Sequence, residues 1–142
     1  TEVPGGIGDH QAAGTAAEVN RIQTAWERVG LLDTAKRAML GDLVFIGIYG
    51  LGSILAGFHF RRVGTGALKH LGTAILIAGL VFTVTDYGET IAQFIQLSAR
   101  AGDDALAGFA ASVRPFKMAA WIITFVGVLA AMVIGRKQNA SG

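Results

Sequence analysis

Leu43-Val-Phe-Ile-Gly-Ile-Tyr-Gly-Leu-Gly-Ser-Ile-Leu-Ala-Gly-Phe-His-Phe60 is a run of eighteen residues without Asp, Glu, Lys or Arg. As a helix rising about 1.5 Å per residue it is roughly 27 Å long, just enough to cross the hydrocarbon core of a bilayer. Met118 to Gly135, between Lys117 and Arg136, is a second such run. Leu71 to Thr85 is a third, which Asp86 and Glu89 interrupt and Thr90 to Leu97 resumes, so it reads as one long helix with acids in its second half. Ala101 to Arg114 carries Asp103, Asp104 and Arg114 and is too polar for a fourth span. The expected fold is all-α: an integral membrane protein with three transmembrane helices.

Composition agrees. Of 142 residues, 52% are hydrophobic and only 15% charged, which is little charge for a soluble domain of this size. The absence of cysteine excludes disulfide scaffolds, thiolate metal sites and cysteine nucleophiles. A formal net charge of +2 gives no electrostatic footprint for nucleic acid. One small helical bundle is too little to enclose a large active site, and no nucleophile–base pair or cofactor motif is present, so neither an enzyme nor a cofactor is expected.

Working outward, the chain divides into residues 1–32, a transmembrane bundle over 33–137 and a tail over 138–142. Thr1 to Gly14, with four Gly, a Pro and no apolar period, predicts an extended, disordered arm. Thr15-Ala-Ala-Glu18 is a capping-box pattern, and Val19, Ile22, Trp26 and Val29 then recur at helical spacing until Gly30. This amphipathic helix has a mixed-charge polar face, Glu18, Arg21, Glu27 and Arg28, so it can lie on lipid, on its own bundle or on a partner. Trp26 at its apolar centre is the expected anchor on headgroups or a partner, and the arm is expected to rest on another chain. Asp103 and Asp104 open a second short interfacial helix, after which Arg114-Pro115 restarts the chain into the third span.

The ionisable residues of the spans need partners or water. Asp42 begins the first span, Asp86 and Glu89 lie toward the exit of the second, and Lys117 begins the third, so all approach one side of the bilayer. Asp86 and Glu89 share a face that continues through Gln93, Gln96 and Arg100, and Tyr49, seven residues past Asp42, can face the same seam. Lys117 is expected to pair with Asp86 or Glu89. Functionally such a seam is a proton or cation relay, or a pocket for a headgroup or quinone. Structurally it is an ion-paired lock, which is favoured because no chain of polar residues crosses the membrane.

At the opposite end, Arg61, Arg62, Lys69 and His70 with Gly64 and Gly66 form a basic turn suited to anionic lipid or to a plain topology signal. His59 and His70 flank that turn. Their neighbours Phe60-Arg61-Arg62 and Lys69 place them among headgroups rather than around a haem. His10, in the Gly-rich arm, carries no signal. The first loop and tail hold five Lys or Arg in short, acid-free segments, and all ten acids lie on the other side or at its border, which puts the first loop and tail in the cytoplasm. Within the spans Gly52/Ala56, Ser53/Gly57 and Gly127/Ala131 are small-xxx-small pairs that permit close helix approach.

Asp42-Leu-Val-Phe-Ile-Gly-Ile-Tyr49, Asp86-Tyr-Gly-Glu89-Thr and Pro115-Phe-Lys117 together resemble a group of small bacterial integral membrane proteins without assigned activity. In that group an Asn usually follows the Glu, where Thr90 stands here, and the amino-terminal arm has no counterpart. The resemblance implies three or four helices and a bacterial inner or intracytoplasmic membrane. Function is expected to be that of an accessory or scaffold subunit of a larger membrane complex, respiratory or photosynthetic, with other membrane subunits and lipids as partners. The alternative is a small transporter or ligand-binding membrane protein using the Asp86/Glu89 seam.

Overall fold

The computed structural model describes residues 6–140, with side chains to residue 138. Five helices follow one another: α1 (Ile7–Ala12), α2 (Ala16–Arg28), α3 (Leu32–Val63), α4 (Ala67–Ala99) and α5 (Asp104–Ala140), and the described residues include no strand. At 32, 33 and 37 residues, α3, α4 and α5 are each long and apolar enough to cross a membrane. The chain is an all-α membrane protein.

Two compact units divide it. The first takes the chain up to Ile46 together with Thr85–Pro115, and the second takes Gly47–Val84 together with the chain from Phe116 on. All ten acids fall in the first unit and none in the second, whereas six Lys or Arg fall in each.

In the first unit, local rules place α2. Thr15 is its N-cap, with Oγ1 accepting from the Glu18 N–H at 3.3 Å. Its end is a Schellman motif: Gly30 at φ 72 lets its own N–H reach Glu27 O and the Leu31 N–H reach Trp26 O. Val19, Ile22 and Trp26 are buried together with Ala13, Leu32, Ala35, Met39, Leu97 and Ala107, so one core is assembled from α2, α3, α4, α5 and the residue after α1. The α4–α5 turn docks along α2 by polar contacts as well. Asp104 Oδ1 accepts from the Ala16 N–H at 2.7 Å, Asn20 Oδ1 from the Gly102 N–H at 2.6 Å, and Arg100 donates to Glu27 at 3.0 Å. Of the surfaces open to α2, the structure selects its own bundle.

Over Ile7–Ala12 the arm is not extended. Ile7–Ala12 is helical, and its His10 is buried against Trp26, with ring centroids 5.3 Å apart. Packing supplies what the local sequence lacks: a six-residue helix has no stability of its own, and α1 exists because His10 and Ala13 cover α2. Residues 1–5 lie outside the described residues. Trp26, only 3% exposed, has little surface left for a partner or headgroups, which corrects its assignment as an outward anchor.

The expected restart at Arg114-Pro115 is also corrected, because α5 runs through Pro115 without a break. Proline removes one backbone donor. Against that single loss, Ala107, Ala110, Lys117, Ala120, Thr124, Gly127 and Ala131 form one buried face at helical spacing on both sides of it. Helix also continues past 137 to Ala140, so residues 138–140 are not a separate tail. The α3–α4 turn shortens to residues 64–66, leaving Arg61 and Arg62 in the last turn of α3 and Lys69 and His70 in the first of α4.

In the second unit Leu68, Ile75 and Ala131 are the buried core, with Phe60, Leu71, Val128 and Ile134 packed around them. A Cβ on Gly57 would overlap the backbone of Leu76, and one on Gly72 the backbone of Arg61, so α3 and α4 touch nearly backbone to backbone. A Cβ on Gly127 would meet the side chain of Ile75, while Gly52 faces open space. Two of the three small-residue pairs are therefore packing contacts and the Gly52 position is not. Outward from this core stand Leu51, Leu55, Phe58, Ile77, Val84, Ile122, Val126, Leu129 and Val133, all exposed, as lipid-facing side chains are.

Candidate functional site

The second half of α4 reverses the usual order of a water-soluble helix. Asp86, Glu89, Thr90, Gln93 and Gln96 are all buried, at spacings of three, one, three and three that hold them on one face, while Ile91 and Ile95 on the other side are exposed. Polar groups inside and apolar groups outside suit a helix whose surroundings are not water.

Contacts from neighbouring elements of the first unit fix this face. Thr90 donates its hydroxyl to Asp42 Oδ2 of α3 at 3.1 Å, and Tyr87 donates to the Leu43 carbonyl at 3.1 Å, so two bonds tie α4 to the start of the first span. Gln96 Nε2 donates to the Ala92 carbonyl, and its Oε1 accepts from the Asp103 N–H at 3.0 Å, which anchors the α4–α5 turn. Gln93, 1% exposed, has no hydrogen-bond partner for either atom of its amide among the described residues. Leaving an amide buried in this way costs about 1–3 kcal/mol, which marks Gln93 as a place where a ligand or water would be stabilised. Glu89 is fully buried and Asp86 nearly so.

A second buried polar group adjoins α2. Gln23 Nε2 lies 3.1 Å from His10 Nε2; with the amide donating, the ring accepts there and carries its proton on Nδ1. Burial lowers the His10 pKa from 6.5 to about 4, because a charged ring would lose its hydration. At the open edge of α2, hydrogen bonding to Arg21 holds the exposed Glu18 carboxyl below its usual range.

The expected seam residues fall as follows. Asp42, Asp86 and Glu89 belong to the first unit, and Thr90 links Asp42 to α4. Arg100 leaves the stripe: it lies beyond the end of α4 at φ 52 and pairs with Glu27. Tyr49 and Lys117 belong to the second unit. There the Tyr49 hydroxyl meets Thr124 Oγ1 at 2.7 Å, Thr124 donates to the Trp121 carbonyl, and the Tyr49 ring packs edge-on to Phe82. Lys117 is buried, 8% exposed. At the basic end of the second unit Arg61, Arg62, Lys69, His59 and His70 are all exposed.

Among the described residues no three His, Asp or Glu side chains gather so as to hold a metal ion. The chemistry on offer is that of buried carboxylates, amides and a hydroxyl: binding a proton, a cation or a polar headgroup. Sequence reasoning found Asp86, Glu89, Gln93 and Gln96 by their spacing, but missed His10 and Gln23. A signal existed in Ile7, His10 and Ala13, which recur every three residues as one face of a helix.

Comparison with family models, with curated proteins and with solved structures finds no match to this chain.

Proposed function

We propose that the protein is an accessory subunit of a larger membrane protein complex, respiratory or photosynthetic, and contributes to its assembly or stability. The observation that carries this reading is the exterior of the first unit. Much of that unit lies outside the uncharged runs 43–60, 71–85 and 118–135. Nevertheless Val29, Leu31, Leu40, Ile91, Ile95 and Phe109 are exposed there, while the α4 acids and amides face inward. Apolar side chains of that size beside the charged stretches of the helices need cover, and we assign that cover to another protein chain. Because α1 packs on α2, the surface left to a partner is the apolar exterior of the first unit. We place the protein in a bacterial inner or intracytoplasmic membrane, with the α3–α4 turn and the end of α5 cytoplasmic, because the acid-free short flanks carry the positive charge.

Photo-crosslinking in native membranes tests this. Crosslinkers at Val29, Leu40 and Ile95 should each capture the same membrane protein, in a fixed ratio to this chain, and one at Val126 should capture lipid. Lipid adducts alone from all four positions would overturn the reading.

The unpartnered amide of Gln93 on the Asp86/Glu89 face favours a second reading, a small membrane protein that binds or moves a polar solute. Reconstituted alone, such a protein moves solute, and Gln93→Leu abolishes the movement; an accessory subunit does neither.

A further inference from the structure

We propose that the basic end of the second unit is a binding site for one anionic phospholipid. An open cavity of about 410 Å³ lies there, lined by His59, Phe60 and Val63 of α3, Leu68 of α4, and Met132, Gly135, Arg136 and Gln138 of α5. That volume is within the range of small-molecule sites.

Two halves of the lining have opposite characters, and their order matches a lipid. Phe60, Val63, Leu68 and Met132 are apolar walls able to take part of an acyl chain, whereas His59 supplies a polar ring and Arg136 a cation. The cavity also sits where the uncharged runs end, at Phe60 followed by Arg61 and at Gly135 followed by Arg136, which is headgroup depth. Gly135 contributes space: a Cβ there would only just touch Leu68, so the missing side chain leaves room. Gln138 Nε2 donates to the Thr65 carbonyl at 3.3 Å and fixes the end of α5 against the α3–α4 turn.

Charge selects the anion. Arg61, Arg62, Lys69 and Arg136 all belong to this unit, in which no Asp or Glu occurs. A free phosphate would use the cations and leave the apolar walls bare; a neutral lipid would do the reverse. Only a phospholipid with a net negative headgroup uses both. Arg61, Arg62, Lys69 and His70, the residues the sequence suggested for lipid, lie outside the lining, and the two arginines and Lys69 act through the field they create.

The test uses the full chain in nanodiscs or mild detergent, with native mass spectrometry reading how many lipids each chain retains. Phosphatidylglycerol, phosphatidylcholine and glycerol phosphate are offered separately. One phosphatidylglycerol should stay bound per chain under conditions that strip phosphatidylcholine, and glycerol phosphate should not compete at equal concentration. Arg136→Gln should lower its retention about fivefold, the effect of one cation near a membrane surface. Gly135→Leu, which fills the cavity, should abolish it, and Arg37→Gln in the first unit should leave it unchanged. Equal retention of the two phospholipids, competition by glycerol phosphate, or equal effects of Arg136→Gln and Arg37→Gln would overturn the proposal. The wild-type comparison decides it even if a variant fails to fold.

Discussion

His10 lies nearly flat on Trp26, with ring planes 19° from parallel, and is held there as a neutral ring by Gln23. This contact seats Ile7–Ala12 on α2, and it makes the first unit sensitive to acid. The folded pKa of about 4 lies below the unfolded 6.5, so the unfolded chain takes up a proton that the folded chain refuses.

As pH falls from about 6.5 toward 4, this single group should remove up to about 3 kcal/mol of stability, with no contribution above pH 7. Thermal unfolding of the first unit, followed by Trp26 fluorescence in a Trp121→Phe background, measures it. His10→Phe keeps the stacking and should flatten the dependence between pH 4 and 6.5. An unchanged slope in that variant would show that His10 is not the group responsible.

Gly102 is where the α4–α5 turn meets α2, and a Cβ there would overlap the Ala16 carbonyl oxygen. Gly102→Ala should therefore cost about 1–3 kcal/mol through overpacking, and Asn20→Ala, which loses the bond to the Gly102 N–H, about 1 kcal/mol. Arg100→Gly should be neutral or slightly stabilising, since it relieves a non-glycine residue at positive φ and loses only an exposed ion pair with Glu27. Denaturant titration of the three variants gives the order.

Within the second unit, Gly72→Ala should destabilise strongly because the new methyl meets the Arg61 backbone, whereas Gly52→Ala meets nothing and should be neutral or stabilising. Melting temperatures in detergent distinguish the two. Equal melting would mean that α3 and α4 do not approach at Gly57 and Gly72.

Lys117 is buried and Lys69 exposed. Lys117→Met should therefore destabilise the chain more than Lys69→Met, which should cost less than about 0.5 kcal/mol. Equal stability of the two variants, with solute movement lost only in the Lys117 variant, would shift the account from a structural lock to transport.

The three spans were legible because lipid imposes a crude requirement, a long apolar stretch with little charge, that a linear sequence displays directly. The α4 stripe was legible for a related reason: Asp86, Glu89, Gln93 and Gln96 repeat at helical spacing, and placing polar residues in such a helix fixes which face is inside. What stayed hidden depends on residues far apart in the chain. Nothing near Gly8 announces that Arg114 will donate to its carbonyl, nor near Ala16 that Asp104 will cap its N–H. Composition reads residues 1–14 as disordered because glycine-rich segments are unstable alone, and Trp26 reads as an anchor on headgroups or a partner because its cover, His10, lies in that stretch. Pro115 looked like a boundary because proline rules are local, while the face that carries α5 past it extends over twenty-five residues, from Ala107 to Ala131.

The mass of the particle that this chain forms when extracted from its own membrane tests the central claim most directly. Native mass spectrometry from lipid nanodiscs should show the 14.8 kDa chain bound to at least one other membrane protein in fixed ratio. Val29→Ser with Ile95→Ser should dissociate that assembly without unfolding the chain. A particle containing only this chain, unchanged by those substitutions and active in solute movement after reconstitution, would contradict it.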